Sequence, residues 1–86
     1  MRNVTIENCK IGLKVIKGKD WCWGPQNIHK ETNKEMKGII SYIYKNNKNN
    51  KDWALVTWED GTSNDYRIGP EKIDLYIFEE QFEFEF

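Results

Sequence analysis

Eighty-six residues make room for one domain, and a domain that small buries only about 60–65% of the surface its unfolded chain exposes, so its stability must come from a few large side chains. Four Trp, four Tyr and four Phe are present, each able to bury about 150–250 Å², while 38% hydrophobic residues and a mean hydropathy of −0.82 favour a thin core and a small barrel over a helical bundle. Thirteen Lys plus Arg against fourteen Asp plus Glu leave a formal charge of −1, which provides no general attraction to nucleic-acid phosphates or to a membrane surface.

Met1–Lys10 holds no apolar run, and no stretch approaches the roughly 18 apolar residues of a membrane span. The expectation is an intracellular protein, cytoplasmic or nuclear, in which Cys9 and Cys22 are free thiols. Ile11, Leu13 and Val15 alternate with Gly12 and Lys14, the period of a half-buried strand, which Gly18 ends. Lys19-Asp20-Trp21-Cys22-Trp23-Gly24-Pro25-Gln26 then reads as an aromatic-rich loop with Gly-Pro punctuation, Cys22 being a small buried side chain between two indoles. The sequence from there to Lys37 is polar and aperiodic, with at most two helical turns in Lys30–Lys37, and loops this long inside a compact domain are usually functional or disordered.

Gly38–Tyr44 is a β-branched and aromatic run of strand length, the Lys45–Asp52 segment is a polar turn, and Trp53–Trp58 returns as a third strand. Asp60-Gly61 marks a hairpin into Asn64-Asp65-Tyr66-Arg67. A two-residue turn would pair Trp58 with Ser63, whereas a three-residue turn with a Gly bulge would pair it with Thr62, and that slip decides whether Tyr66 shares a face with Trp58. A connection with Gly69-Pro70 leads to a last strand, Ile73–Phe78. Charge is uneven along the chain: residues 30–51 carry six Lys against Glu31 and Glu35, and residues 71–86 carry six acids against Lys72. The tail of residues 79–86 alternates Phe82, Phe84 and Phe86 with acids, the pattern of a sixth strand on the barrel or of an edge that pairs with another chain.

Catalytic patterns are lacking. His29 is the only histidine, and nothing in the sequence marks Cys9 or Cys22 as an activated thiol beside it. The carboxylates are scattered and the six glycines stand singly, so neither an acid/base pair nor a phosphate-binding loop emerges. Cys9, Cys22 and His29 lack the Cys-x-x-Cys spacing of a zinc knuckle and a fourth ligand. No enzyme, metal or cofactor is expected. Asp20, Trp21, Trp23, Tyr66 and Arg67 remain, together with Trp58, which reads as core. Flat indoles, a phenol and a planar guanidinium are the residue types that dominate binding hot spots, and Asp65 is the expected partner that orders Arg67.

Gly12-Leu13-Lys14-Val15, Gly18-Lys19-Asp20-Trp21-Cys22-Trp23-Gly24-Pro25-Gln26, Gly38-Ile39-Ile40, Val56-Thr57-Trp58, Asp60-Gly61, Asn64-Asp65-Tyr66-Arg67, Gly69 and Asp74-Leu75 resemble, in order and spacing, the MIB/HERC2 domain family, over residues 11 to about 77. The resemblance implies an SH3-like β-barrel of the kind found in large ubiquitin ligases, where it recognises a substrate or partner and contributes no catalytic group. Two departures fall in loops: Asn27-Ile28-His29-Lys30 replaces a Gly-rich stretch, and the Lys45–Asp52 turn is longer and richer in Asn and Lys. The expected function is non-catalytic binding of a peptide segment of a partner protein by Asp20, Trp21, Trp23, Tyr66 and Arg67. A second reading is a structural or self-association module using Phe82, Phe84 and Phe86, and a third a reader of nucleic acid or histone tails.

Overall fold

A computed structural model of the chain describes residues 2–79. Five strands form one antiparallel sheet in the order β4-β3-β2-β1-β5, with β1 at Lys14–Lys17, β2 at Gly38–Lys45, β3 at Asp52–Trp58, β4 at Ser63–Arg67 and β5 at Leu75–Ile77. Among the described residues the one helical element is a 3₁₀ turn at Gly24–Asn27, with Pro25 near its start. The all-β architecture and the five strands follow the sequence pattern. Phe82, Phe84 and Phe86, with the expectations placed on them, lie outside the described residues.

Alternation along β3 turns Ala54, Val56 and Trp58 inward, where they join Val15, Ile40, Tyr66, Leu75 and Ile77 from the other strands. Val4, Met36 and Ile68 close this core from the connecting segments. On β2 a register shift between Ile40 and Tyr42 resets the alternation, as a bulge does. Gly38 stands opposite Trp58, and a Cβ there would collide with Val56 Cγ1 and the Trp58 ring. The indole therefore crosses a position that only glycine leaves open.

The turn after β3 is the three-residue form. Trp58 N–H donates to Thr62 O at 2.7 Å and Gly61 N–H to Trp58 O at 2.9 Å; Gly61 has φ 90°, which a side chain would strain. Asp60 Oδ1 accepts from the Thr62 amide and hydroxyl. This register sets Ala54 opposite Tyr66 and so places Tyr66 on the same face as Trp58.

The expectations for the first strand and for Cys22 are corrected, and that for Lys30–Lys37 is narrowed. The first strand begins at Lys14, because Gly12 adopts φ 94° and breaks the extended run, leaving Ile11 66% exposed. Lys30–Lys37 forms no helix; the loop folds on itself through a bridge between Ile28 and Glu35 and a 2.7 Å bond from Met36 N–H to Asn27 O, which carries Met36 and Asn27 inside. Cys22 is exposed, since three consecutive residues in an extended loop alternate and the two indoles take the inward side.

The sheet is open, with β4 and β5 as its edges. The outer side of β5 meets the N-terminal segment, through a bridge between Asn3 and Tyr76 and bonds from Val4 N–H to Leu75 O and Ile77 N–H to Arg2 O. β4 is joined to the approach to β5 by side-chain bonds: the Arg67 amide and guanidinium donate to the Asp74 carboxylate.

Candidate functional site

β1 runs out at Gly18, whose amide donates to Asp74 O at 2.7 Å. A Cβ on Gly18 would strike Ile73 O and lie 2.7 Å from Leu75 N, so the backbones pass at a distance that excludes any side chain. Asp20 fastens the loop two residues later: its amide donates to Ile73 O at 2.9 Å and its Oδ2 accepts the Ile73 amide at 2.7 Å. That amide, with the Lys19 ammonium 3.1 Å from Oδ2, holds the Asp20 carboxyl below its ordinary pKa. The loop is thus pinned where β4 ends and β5 begins.

Trp21 stacks on Tyr66 with centroids 4.8 Å apart and meets Trp58 edge-on at 5.9 Å; its indole N–H donates to Gly24 O at 2.8 Å. Trp23 lies edge-on to Tyr66 and Trp53, with the Arg67 guanidinium 5.2 Å from its ring centroid. Tyr66 is fully buried. Its hydroxyl accepts from Trp58 Nε1 at 3.0 Å and donates to Gln26 Oε1 at 2.8 Å, and burial pushes the phenol above its ordinary pKa, keeping it a neutral donor.

Arg67 forms a two-pronged pair with Asp74, Nε to Oδ2 at 2.8 Å and Nη2 to Oδ1 at 2.7 Å. Trp23 Nε1 donates to the same carboxylate at 2.9 Å, and Arg67 Nη2 also reaches Cys22 Sγ at 3.3 Å and Asp20 O at 3.4 Å. The bond to Asp74 raises the Arg67 pKa further. The guanidinium is therefore held by Asp74, not by Asp65.

All five residues singled out in the sequence meet in one cluster, but they offer different things. Trp21 and Trp23 remain partly exposed. Tyr66 presents no surface and supports them from beneath, while the Nε and one Nη2 donor of Arg67 are spent on a buried carboxylate. Beside Arg67 opens a cleft of about 390 Å³, lined by Lys51, Trp53, Arg67, Ile68, Pro70 and Lys72 among others.

Three members of the cluster had no clear mark in the sequence. Asp74 lies between Ile73 and Leu75, all three buried; strand alternation would turn it to solvent, and only the tertiary contact with Arg67 brings it in. Gln26 and Trp53 carried only their membership of an aromatic loop and a strand. As for nucleophiles, burial, with Asp52 nearby, pushes the Cys9 thiol up to about 11, so it stays a protonated thiol at neutral pH. His29 Nδ1 accepts the Glu31 and Thr32 amides and staples its own turn. Among the described residues no three His, Cys, Asp or Glu side chains converge as a metal site requires.

The Mib_herc2 family model matches residues 12–79. The chain is 33% identical over 76 residues to the E3 ubiquitin-protein ligase MIB2 of Gallus gallus, a match covering 87% of this chain and 8% of that protein. It is 35% identical over 71 residues to the E3 ubiquitin-protein ligase HERC2 of Mus musculus, covering 81% of this chain and 1% of that one. The putative HERC2-like protein 3 of Homo sapiens is 34% identical over the same length, 5% of its own. The chain thus spans a small part of each of these relatives.

Proposed function

This chain belongs to the Mib_herc2 family, and on that premise we propose that it is a non-catalytic module that binds a peptide segment of a protein partner, in the ubiquitin pathway in which its relatives are ligases. Ligase chemistry would reside in a larger parent or an associated protein. The open sheet is read as an SH3-like barrel whose last seam is closed by the Arg67–Asp74 pair in place of a strand ladder. One observation carries the proposal: Trp21 and Trp23 are partly exposed indoles fixed by hydrogen bonds to Gly24 and Asp74, and Trp23 packs against Trp53 and Arg67, which line a cleft of about 390 Å³. Rigid aromatic surface of this kind loses little entropy on binding. Asp20, Tyr66 and Arg67 act in this reading as the frame that presents it.

The test uses peptides selected by display on the immobilised chain and titrated calorimetrically. Trp21→Ala should weaken the selected peptides by about 1–3 kcal/mol, as hot-spot truncations commonly do, in a variant shown to be folded by its melting curve. Tyr42→Ala, at a tyrosine 58% exposed on β2, should leave affinity unchanged. Wild-type affinity in Trp21→Ala would remove the tryptophan cluster as the binding surface.

A further inference from the structure

The cleft beside Arg67 has Lys51, Arg67 and Lys72 in its wall, with Asp52 and Glu71 between them. Both acids already have partners: Asp52 meets Lys45 at 3.1 Å and Glu71 meets Lys51 at 2.8 Å. Arg67 reaches the cleft with a side chain 27% exposed. Its Nε and Nη2 hold Asp74, and Nη2 also turns to Asp20 O and Cys22 Sγ. Among the described residues no acceptor reaches Nη1, so two N–H groups of the guanidinium are left over. Lys72 is exposed and has no ion pair among the described residues, acting on Asp20 and Glu71 only across a longer distance.

We propose that this cleft receives one acidic side chain, Asp or Glu, of the peptide segment bound at the tryptophan cluster; the inference rests on that reading of the cluster and adds the chemistry of its partner. Charge, geometry and continuity select a single carboxylate. The wall carries three cations against two acids, and counting their partners Lys45 and Asp74 keeps the surplus at one positive charge. A monoanion balances that surplus, whereas a phosphate dianion would exceed it and meet Asp52 and Glu71. The Nη1 donors are held in place beforehand, because the other edge of the guanidinium is anchored on Asp74 and its centre lies 5.2 Å from the Trp23 ring centroid. A carboxylate oxygen therefore gains a charge-assisted bond without having to order a mobile side chain. Beside the cations the wall is the Trp53 ring and Pro70, apolar surface against which the methylenes of an acidic side chain can pack. Trp53 in turn meets Trp23 edge-on, with centroids 6.4 Å apart, so a segment lying on the indoles passes directly into the cleft.

The test selects random peptides, joined at their C-terminus to a constant linker so that no terminal carboxylate is free, on the immobilised intact chain and on the intact chain carrying Lys72→Glu. Binders to the wild-type chain should share Asp or Glu at one position, and the Lys72→Glu selection should lose that acid. In calorimetric titration a selected peptide with that acid changed to its amide should bind about tenfold more weakly, the scale of one hydrogen bond to a charged group. Lys72→Ala should shrink the ratio between acid and amide peptides, whereas Trp21→Ala should weaken both alike and leave the ratio unchanged. Lys72 is exposed and unpaired, and melting curves of its variants show that they are folded. Binders without a shared acid, or an amide peptide that binds as tightly as the acid, would overturn the proposal and leave the tryptophan cluster standing. Acid-dependent binders that ignore Trp21→Ala would count for the cleft and against the cluster. A phosphoserine peptide that binds more tightly than its glutamate counterpart, or a shared acid that appears only as a free C-terminus, would overturn the side-chain assignment. A library that yields no binder at all would overturn both readings.

Discussion

Arg67→Ala should be among the most damaging single substitutions in the domain. The Asp74 carboxylate is fully buried and accepts four hydrogen bonds, from the Arg67 amide, Nε and Nη2 and from Trp23 Nε1. Truncation at Cβ removes the two guanidinium donors and the countercharge, leaving an anion enclosed with two neutral N–H groups. Stripping one partner from a buried ion pair costs about 3–5 kcal/mol. The Arg67 side chain is 27% exposed, so water can replace part of what the guanidinium supplied, and a loss of about 2–4 kcal/mol is expected. In a domain this small each kcal/mol moves the melting temperature by about 4–8 °C, so the fall is on the order of 10–25 °C. Urea titration followed by tryptophan fluorescence, beside calorimetric melts, measures it. Arg67→Lys keeps the charge but not the fork and should fall between. The pair Arg67→Met and Asp74→Asn removes both charges while keeping an acceptor for Trp23, and should recover much of the loss. If Arg67→Ala stays within about 1 kcal/mol of wild type, or if the double variant is no better than the single, the buried anion is not what holds this seam.

Other outcomes follow from the same geometry. Tyr66→Phe leaves Trp58 Nε1 and Gln26 Oε1 without their shared partner and should cost about 1–3 kcal/mol in urea titration, the penalty of buried groups left unpaired. Gly38→Ala forces Val56 and the Trp58 ring aside; a loss of about 1–3 kcal/mol is expected, with altered indole fluorescence, whereas wild-type stability would show that the ring can slide. Asp20 has a folded-state pKa below its ordinary value of 3.8, chiefly because the Ile73 amide binds its charged form. Its contribution is therefore present above pH 3.8 and is lost as pH falls through the folded value. Asp20→Asn should flatten the acid limb of stability against pH, and an unchanged acid limb would show that the bond to Ile73 does not favour the charged form.

The residues of the proposed peptide site were legible in the sequence because they are chemically conspicuous. Indoles at positions 21 and 23 of a Gly-Pro loop, and a Tyr-Arg pair ending a strand, are residue types of binding hot spots, although a core role explains such side chains as well in a chain short of aliphatic residues. Their division of labour was not legible. Trp21, Trp23, Tyr66 and Arg67 look alike as hot-spot candidates, yet one is enclosed, one is spent on a carboxylate and two keep open surface. The carboxylate that decides this, Asp74, sits in an apolar run whose alternation points it outward.

By itself the sequence determined the strand count, the Asp-Gly turn and the family, because strand period, turn chemistry and side-chain size are local properties. The tertiary structure decided what locality cannot. Both turns at Asp60-Gly61 satisfy local geometry, and the three-residue form places Tyr66 on the Trp58 face, where its hydroxyl can bind the indole N–H. Met36 and Asn27 are buried from a polar loop because that loop closes over the core. Arg67 finds Asp74 and not Asp65 because the approach to β5 passes beside the end of β4, putting the more distant acid in sequence within 2.7 Å. Which acid meets the guanidinium is a property of how the strands are ordered, and no spacing along the chain encodes it.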